Sequence, residues 1–499
     1  MLLTIVSKVM GLARELPLSY FFGASNISDA YLIALTIPTV IFSFIGLGVK
    51  TTFIPMYREV FDKNGIEKAN EFTNNVSVLI SLVSTIIVII VQIFTVDVVR
   101  IFASGFEGDT LILAVQLTRI TIFSVYIIGL NYICEGYLQT NSKFLITGLI
   151  GIPLNIIIVL SIVAGYKVDT VWLGIGQIIA VLSQLGFMIP FIIKQGYKVK
   201  GHINLRDKNL TRMFYLSIPV ILGTSVNQIN KLVDRTIASS ITVGGISALV
   251  YANRLNLFIQ GIFVLSVTTV MFPMVTKMAS QNNTAGIKKI TMDAINGVSL
   301  LLVPIAIGSM LFSTEIVDLI YGRGAFDIEA IQLTASSLFY YSIGITFFGF
   351  REILAKTFYS LQDTKTPMIN AAIGMGINIV LNIILSKYLG VGGLALATSI
   401  AGICITLLMF ISLRRKMGAL GLKNVGISLM KVIFASLVMA VIAKYIFMYF
   451  DSLYSQNIAL LIAIVGGAVI YFVSVYLTKV EGMDFIINSI TAKKKKVKL

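Results

Sequence analysis

The chain has 499 residues, 57% of them hydrophobic and 12% charged, with a formal net charge of +16 and a mean hydropathy of +0.92. One histidine, two distant cysteines and no nucleophile motif leave nothing for ordinary hydrolytic or metal chemistry. The basic excess borders apolar segments and suits anionic lipid headgroups, so membrane lipids are expected partners and nucleic acid is not.

Apolar runs of about 20 residues recur from end to end, each long enough to cross a ~30 Å hydrocarbon core. They are continuous rather than alternating, which predicts helices and not a β-barrel. Fourteen spans are expected, centred near Leu12, Ile45, Ile87, Ser124, Ile156, Ile179, Ile229, Phe263, Leu302, Ile343, Ile379, Ile403, Val438 and Val465. The first is read as a retained span, because no signal-type cleavage site follows it. Basic residues concentrate in alternate loops: Arg58, Lys63 and Lys68; Lys143; Lys194–Arg212; Lys277–Lys289; Lys365; Arg414–Lys416; and the Lys493–Lys496 tail. The remaining loops carry more acids, including Asp97, Glu107, Asp109, Glu315, Asp318 and Asp327. The positive-inside rule then puts both termini in the cytoplasm.

In span one, Lys8, Arg14 and Glu15 interrupt an apolar segment. Charge at membrane depth is costly and usually functional, although Lys8 could snorkel to the surface. Asp29 opens span two, either as a helix cap or as a cavity residue. Span two then runs through Pro38, Gly46 and Gly48 to Lys50 and Pro55, breakers that mark bending or close backbone approach. Spans three to six are blander. Arg119, and Asn131, Glu135 and Gln139 within NYICEGYLQTNSKF, are polar enough to line a vestibule, but are read first as a helix end at the headgroups. Cys134 and Cys404 are core residues with no metal spacing, and His202 is a solvated loop residue.

The basic connector from Lys194 to Arg212 separates two halves that echo each other. I27-S28-D29 precedes a span ending F53-I54-P55-M56, and I246-S247-A248 precedes one ending F272-P273-M274. The prolines stand 218 residues apart and the I-S pairs 219 apart, which suggests an internal repeat. Expected are a six-helix lobe over 1–200, a second over 201–417, two extra spans over 418–480 and a basic tail over 481–499. Parallel repeats of this kind hold substrate between two lobes. Lobe one offers Lys8, Arg14, Glu15 and Asp29; lobe two offers Asp234, Arg235, Asn253, Arg254 and Arg351. Spans eleven and twelve add Asn378 and Asn382, four apart on one helix face, and Thr398. With Asp234 these neutral oxygens could hold a monovalent cation; alternatively they are interhelical hydrogen bonds worth about 1 kcal/mol or less.

SKVMGLARE, FGASNISDAY and FIPMY in the first half, with NQINKLVDRTIAS, YANRLNLFIQGIF and MFPMVTK in the second, resemble the MurJ (MviN) lipid II flippases. These belong to the multidrug/oligosaccharidyl-lipid/polysaccharide exporter superfamily, and the resemblance covers essentially the whole chain, including the two extra C-terminal spans. It implies a carrier, not an enzyme, that turns undecaprenyl-pyrophosphate-linked peptidoglycan precursor from the inner to the outer leaflet of the bacterial plasma membrane. Its expected roles are peptidoglycan biosynthesis, cell-wall biogenesis and cell shape. Arg14 and Arg254 match arginines of the family's cationic cavity. Lys8 stands where an arginine is usual, Glu15 where an aspartate is usual, and Asp29 matches the acid opening span two. The family's span-two arginine has no counterpart, since Phe42-Ser43 occupies that region and Lys50 is the nearby cation. Asp234, Asn378, Asn382 and Thr398 fit the sodium site of some members, with Asn382 replacing a second carboxylate; no other cofactor is implied. A monomer is expected, with cell-wall synthases as candidate partners. The alternative within the superfamily is an ion-coupled exporter of other polyprenyl-linked glycans or amphipathic drugs.

Overall fold

The computed structural model describes residues 10–198, 204 and 207–478. Lys8, His202 and the basic tail from 481 lie outside the described residues, as does the Lys50 side chain. The described chain is helical throughout, with no strand, and every position taken as a span centre falls in a helix. Among the described residues ten helices are long and apolar enough to cross a membrane, or eleven if one bent pair is a single span.

In chain order the helices are α1 (Glu15–Phe22), α2 (Asn26–Ile93), α3 (Thr95–Phe102), α4 (Gly108–Thr121), α5 (Ser124–Thr140), α6 (Phe144–Leu149), α7 (Gly151–Lys167) and α8 (Val171–Lys194). They continue as α9 (Lys208–Ser239), α10 (Gly245–Ser280), α11 (Thr284–Leu311), α12 (Ser313–Tyr321), α13 (Ile328–Ser360), α14 (Lys365–Met417), α15 (Leu422–Asp451) and α16 (Gln456–Leu477). Two of these are broken by a left-handed glycine. Gly65 at φ 78° interrupts α2, and Gly390 at φ 56° separates spans eleven and twelve within α14. The bent pair is α4 with α5, at 44°. Ser25 caps α2, accepting from the Ser28 N–H while the Ser28 hydroxyl accepts from the Ser25 N–H.

The chain divides into two compact units, Met1–Ser247 with Arg323–Ala330, and Ala248–Gly322 with Ile331–Leu499. The first includes α9, which the sequence division at residue 200 groups with the second half. Within this unit Thr52 Oγ1 and Ser217 Oγ, both buried and 2.9 Å apart, link α2 to α9. Its core is built on Phe42, Phe53, Tyr57, Phe72 and Tyr137. In the second unit, α10, α11, α13 and the second half of α14 share a core that includes Val264, Ile295, Phe358 and Met409. The extra pair, α15 and α16, packs by small residues: Ala443, Ala459 and Ala463 share one core cluster, a Cβ on Gly467 would stand 3.2 Å from that of Ala443, and Val432 and Ala435 share another cluster with Leu300 and Val303.

Prolines inside spans free a carbonyl four residues back, and in hydrocarbon that carbonyl needs a partner. Pro38 lies inside α2, and the Thr121 hydroxyl of α4 donates to the Ala34 oxygen at 2.7 Å. Pro304 lies inside α11, and the Tyr471 hydroxyl of α16 donates to the Leu300 oxygen at 2.6 Å. Thr121 and Tyr471 are both buried, so water does not substitute for them. Tyr471→Phe removes the second partner with little change of shape. It is expected to cost about 1–3 kcal/mol, the penalty of a buried unpaired carbonyl. Thermal unfolding in detergent checks this, with Tyr476→Phe as control, since Tyr476 is 72% exposed.

Candidate functional site

Within the first unit, span one carries the ion pair Arg14–Glu15, Nη2 to Oε1 at 2.9 Å, with side chains 20% and 5% exposed. Neighbouring residues on a regular helix do not face each other, and the backbone is irregular here, because α1 starts at Glu15 immediately after a turn at Arg14. The length of the arginine side chain bridges the remaining angle. Tyr31 of α2 is buried near both charges, and its hydroxyl has no hydrogen-bond partner among the described residues. Only its place in the DAY tripeptide hints at this position in the sequence.

Asp29 is buried but does not cap its own helix, because Ser25 does. Its Oδ1 accepts the Ser247 N–H at 2.7 Å, in the first turn of α10. A carboxylate there satisfies an orphan amide and meets the positive end of the helix dipole. Arg235, on α9, donates Nη1 to the Leu32 carbonyl at 2.9 Å, fixing α9 against the same stretch of α2.

Around Asp29 the turns of this unit meet backbone to backbone. A Cβ on Gly324 would stand 2.3 Å from the Tyr20 carbonyl oxygen, and one on Gly105 would stand 2.3 Å from the Ser239 carbonyl oxygen. The Ala325 N–H donates to Tyr20 O at 2.8 Å, and the Gly105 N–H to Ser239 Oγ at 3.1 Å. Gly105 and Gly324 lie 219 residues apart, as do Tyr20 and Ser239. The amphipathic helices α3 and α12, which precede these two glycines, also correspond: Asp97 and Glu315 stand 218 apart. The same offset therefore recurs at contacts that the two sequence matches did not reach.

In the second unit Asn253 and Arg254 are part-buried on α10, beside Asn256, which is buried and accepts from Gln260 Nε2 at 2.9 Å. Arg351 of α13 lies over the Phe348 ring at 5.6 Å. Asn378, Asn382 and Thr398 form one chain: Asn382 Nδ2 donates to Asn378 Oδ1 at 2.9 Å, Asn378 Nδ2 to Thr398 Oγ1 at 3.3 Å, and Thr398 Oγ1 to Leu394 O at 3.0 Å. Asp234 belongs to the first unit, where Asn230 Nδ2 donates to its Oδ2 at 3.3 Å. No group of three or more His, Cys, Asp or Glu side chains suited to a metal ion occurs among the described residues. Beside α15 and α16, an apolar groove of about 400 Å³ is lined by Phe263, Pro304, Met439, Gly467 and Tyr471.

The family model described as lipid II flippase MurJ matches residues 18–465. The chain belongs to the MurJ family. Among curated members, a probable lipid II flippase MurJ of Vibrio cholerae is 30% identical over 80% of this chain and 78% of its own. One of Rickettsia prowazekii is 29% identical over 97% of each. A solved lipid II flippase MurJ in an inward closed conformation superposes with a TM-score of 0.82, at 29% identity over 96% of this chain and 98% of that one. An inward-facing multidrug-resistance MATE transporter of the MOP superfamily shares the fold alone, at a TM-score of 0.66 and 14% identity.

For a MurJ chain, the geometry separates the two readings of Asp29. Asp29→Ala, which removes the cap, is expected to cost about 0.5–2 kcal/mol. Asp29→Asn should retain most of the stability, because asparagine caps about as well as aspartate. Thermal midpoints of the two variants in detergent decide; equal losses in both would show that charge, not capping, is what the position supplies.

Proposed function

We propose that this chain is a lipid II flippase that carries the lipid-linked peptidoglycan precursor across the membrane by alternating access. The observation that carries the reading is the family match over residues 18–465, supported by the part-buried Arg14–Glu15 ion pair in the first unit and, separately, an apolar groove in the second. A pyrophosphate on a polyprenyl chain needs both features. Arginine offers permanent charge and a two-pronged donor geometry for phosphate oxygens, and the groove along α11, α15 and α16 suits the isoprenoid tail.

In this reading Arg14 and Arg254 bind the pyrophosphate, with Lys8, Asn253 and Arg351 adding charge and hydrogen bonds. Glu15 holds Arg14 while substrate is absent, since a buried cation without a partner is costly. Asp29 acts through the cap on α10 rather than by touching substrate. Both termini face the cytoplasm, as the loop charges direct, and the carrier works as a monomer from which cell-wall synthases receive product. Return of the empty carrier draws on the membrane potential, worth about 2.3 kcal/mol per charge per 100 mV. The sodium proposal uses Asp234, Asn378, Asn382 and Thr398. Their oxygens suit a hard monovalent ion, and in the amide chain each asparagine donates its Nδ2 to the next member.

Purified protein in proteoliposomes, with lipid II scored by access to an added lipid II-modifying enzyme, tests the reading. Arg254→Ala should slow translocation roughly ten- to a hundred-fold, the equivalent of one charge-assisted hydrogen bond of about 1.5–3 kcal/mol, without altering insertion. Arg14→Lys should retain part of the activity. Full activity in a well-inserted Arg254→Ala protein would remove that residue from the site; absence of lipid II transport beside export of an amphipathic cation would favour the multidrug reading. Collapse of the potential with an ionophore should slow flipping. Replacing sodium by choline should slow wild type but leave Asn378→Ala unchanged.

A further inference from the structure

The first unit contains a second cavity, of about 650 Å³, away from the residues assigned above. That volume lies within the range of about 300–1,000 Å³ typical of ligand pockets. Its depth is apolar, walled by Leu130 and Ile133 of α5 and Leu185 and Ile189 of α8. The side chains of Ile189 and Ile193 are 43% and 61% exposed, so the wall they form faces outward. One end differs in character, with Thr73, Asn74 and Ser77 of α2, Tyr137 of α5, and Tyr197 just beyond α8.

That polar end is where the connector between the two sequence halves is strapped down. Asn70 Nδ2 donates to Gly196 O at 2.9 Å, Asn74 Nδ2 to Lys198 O at 3.4 Å, and the Asn204 N–H to Asn75 Oδ1 at 2.9 Å. Tyr137 donates to Gln195 O at 3.3 Å, and the Tyr197 hydroxyl donates to Asn74 Oδ1. Lys194 and Lys198 flank the strap with exposed side chains. An apolar slot open to the side, ending in hydroxyls and amides beneath two free-standing cations, matches an acyl chain joined to an anionic headgroup.

We propose that this cavity binds one acyl chain of an anionic phospholipid, whose headgroup rests on Lys194 and Lys198 in the leaflet that the connector faces. The bound lipid holds the chain at Lys194–Lys198 against α2 and so stabilises the contacts that Gly196 and Lys198 make there. Binding that favours the strapped form raises its stability by mass action. The site is separate from the lipid II site and does not depend on which substrate is carried.

Cys134 lines the cavity and reports on it. The full-length protein carrying Cys404→Ser is placed in nanodiscs of pure phosphatidylcholine or of phosphatidylglycerol-rich mixture, and alkylation of Cys134 by a small membrane-permeant reagent is timed. Both leaflets of a nanodisc have one composition, so the result is independent of threading. Phosphatidylglycerol should slow alkylation severalfold, and Lys194→Glu with Lys198→Glu should abolish the difference. A second readout, the thermal midpoint, should rise with phosphatidylglycerol in wild type and not in the double variant. Equal rates in both lipids would overturn the proposal. So would protection by lipid II in phosphatidylcholine discs, which would give the cavity to the polyprenyl chain instead.

Discussion

The governing constraint is that every backbone polar group buried in lipid must find a partner inside the protein. Most are settled by helix formation itself. Exceptions arise at Pro38 and Pro304, prolines inside helices, and there the partner comes from a different helix. Thr121 serves Ala34 in the first unit, and Tyr471 serves Leu300 in the second. A local irregularity thereby becomes a tertiary bond, and α16, one of the two spans beyond the repeat, is tied by it to α11. Because Pro304 and Tyr471 also line the apolar groove, the same bond shapes the surface assigned to the isoprenoid tail.

Charge obeys the same logic at greater cost. Arg14 and Glu15 are largely withdrawn from solvent, and each supplies the other's counter-charge. The polar groups at Asn378, Asn382 and Thr398 are neutral, and they meet the same demand by hydrogen-bonding among themselves.

Much of this was legible in the chain. Span positions follow from continuous apolar length, and the charged residues of the candidate site stand out because lipid makes them conspicuous. Asn378 and Asn382 announce their contact by spacing, since i and i+4 meet on any helix. What could not be read is contact set by tertiary approach. Asp29 looks like a cap for the helix it opens, yet its partner is Ser247, 218 residues on. Asn70, Asn74 and Asn75 look like ordinary surface polarity until the connector is laid across them. Nor does Tyr471 differ in sequence from the exposed Tyr476; only the position of Pro304 on another helix gives one of them a task.

The paired glycine contacts carry a consequence for symmetry. Gly105 meets Ser239 and Gly324 meets Tyr20, and the same offset of 219 relates both members of the two contacts. If i touches j in one copy, then j's counterpart is touched by i's counterpart, which is how identical subunits meet across a two-fold axis. The turns around Asp29 thus carry, inside a single polypeptide, the reciprocal contact pattern that two copies of a half-length chain would make across a two-fold axis. The correspondence is incomplete: the position 219 residues after Asp29 is Ala248, so the carboxylate that holds the first turn of α10 belongs to one half alone.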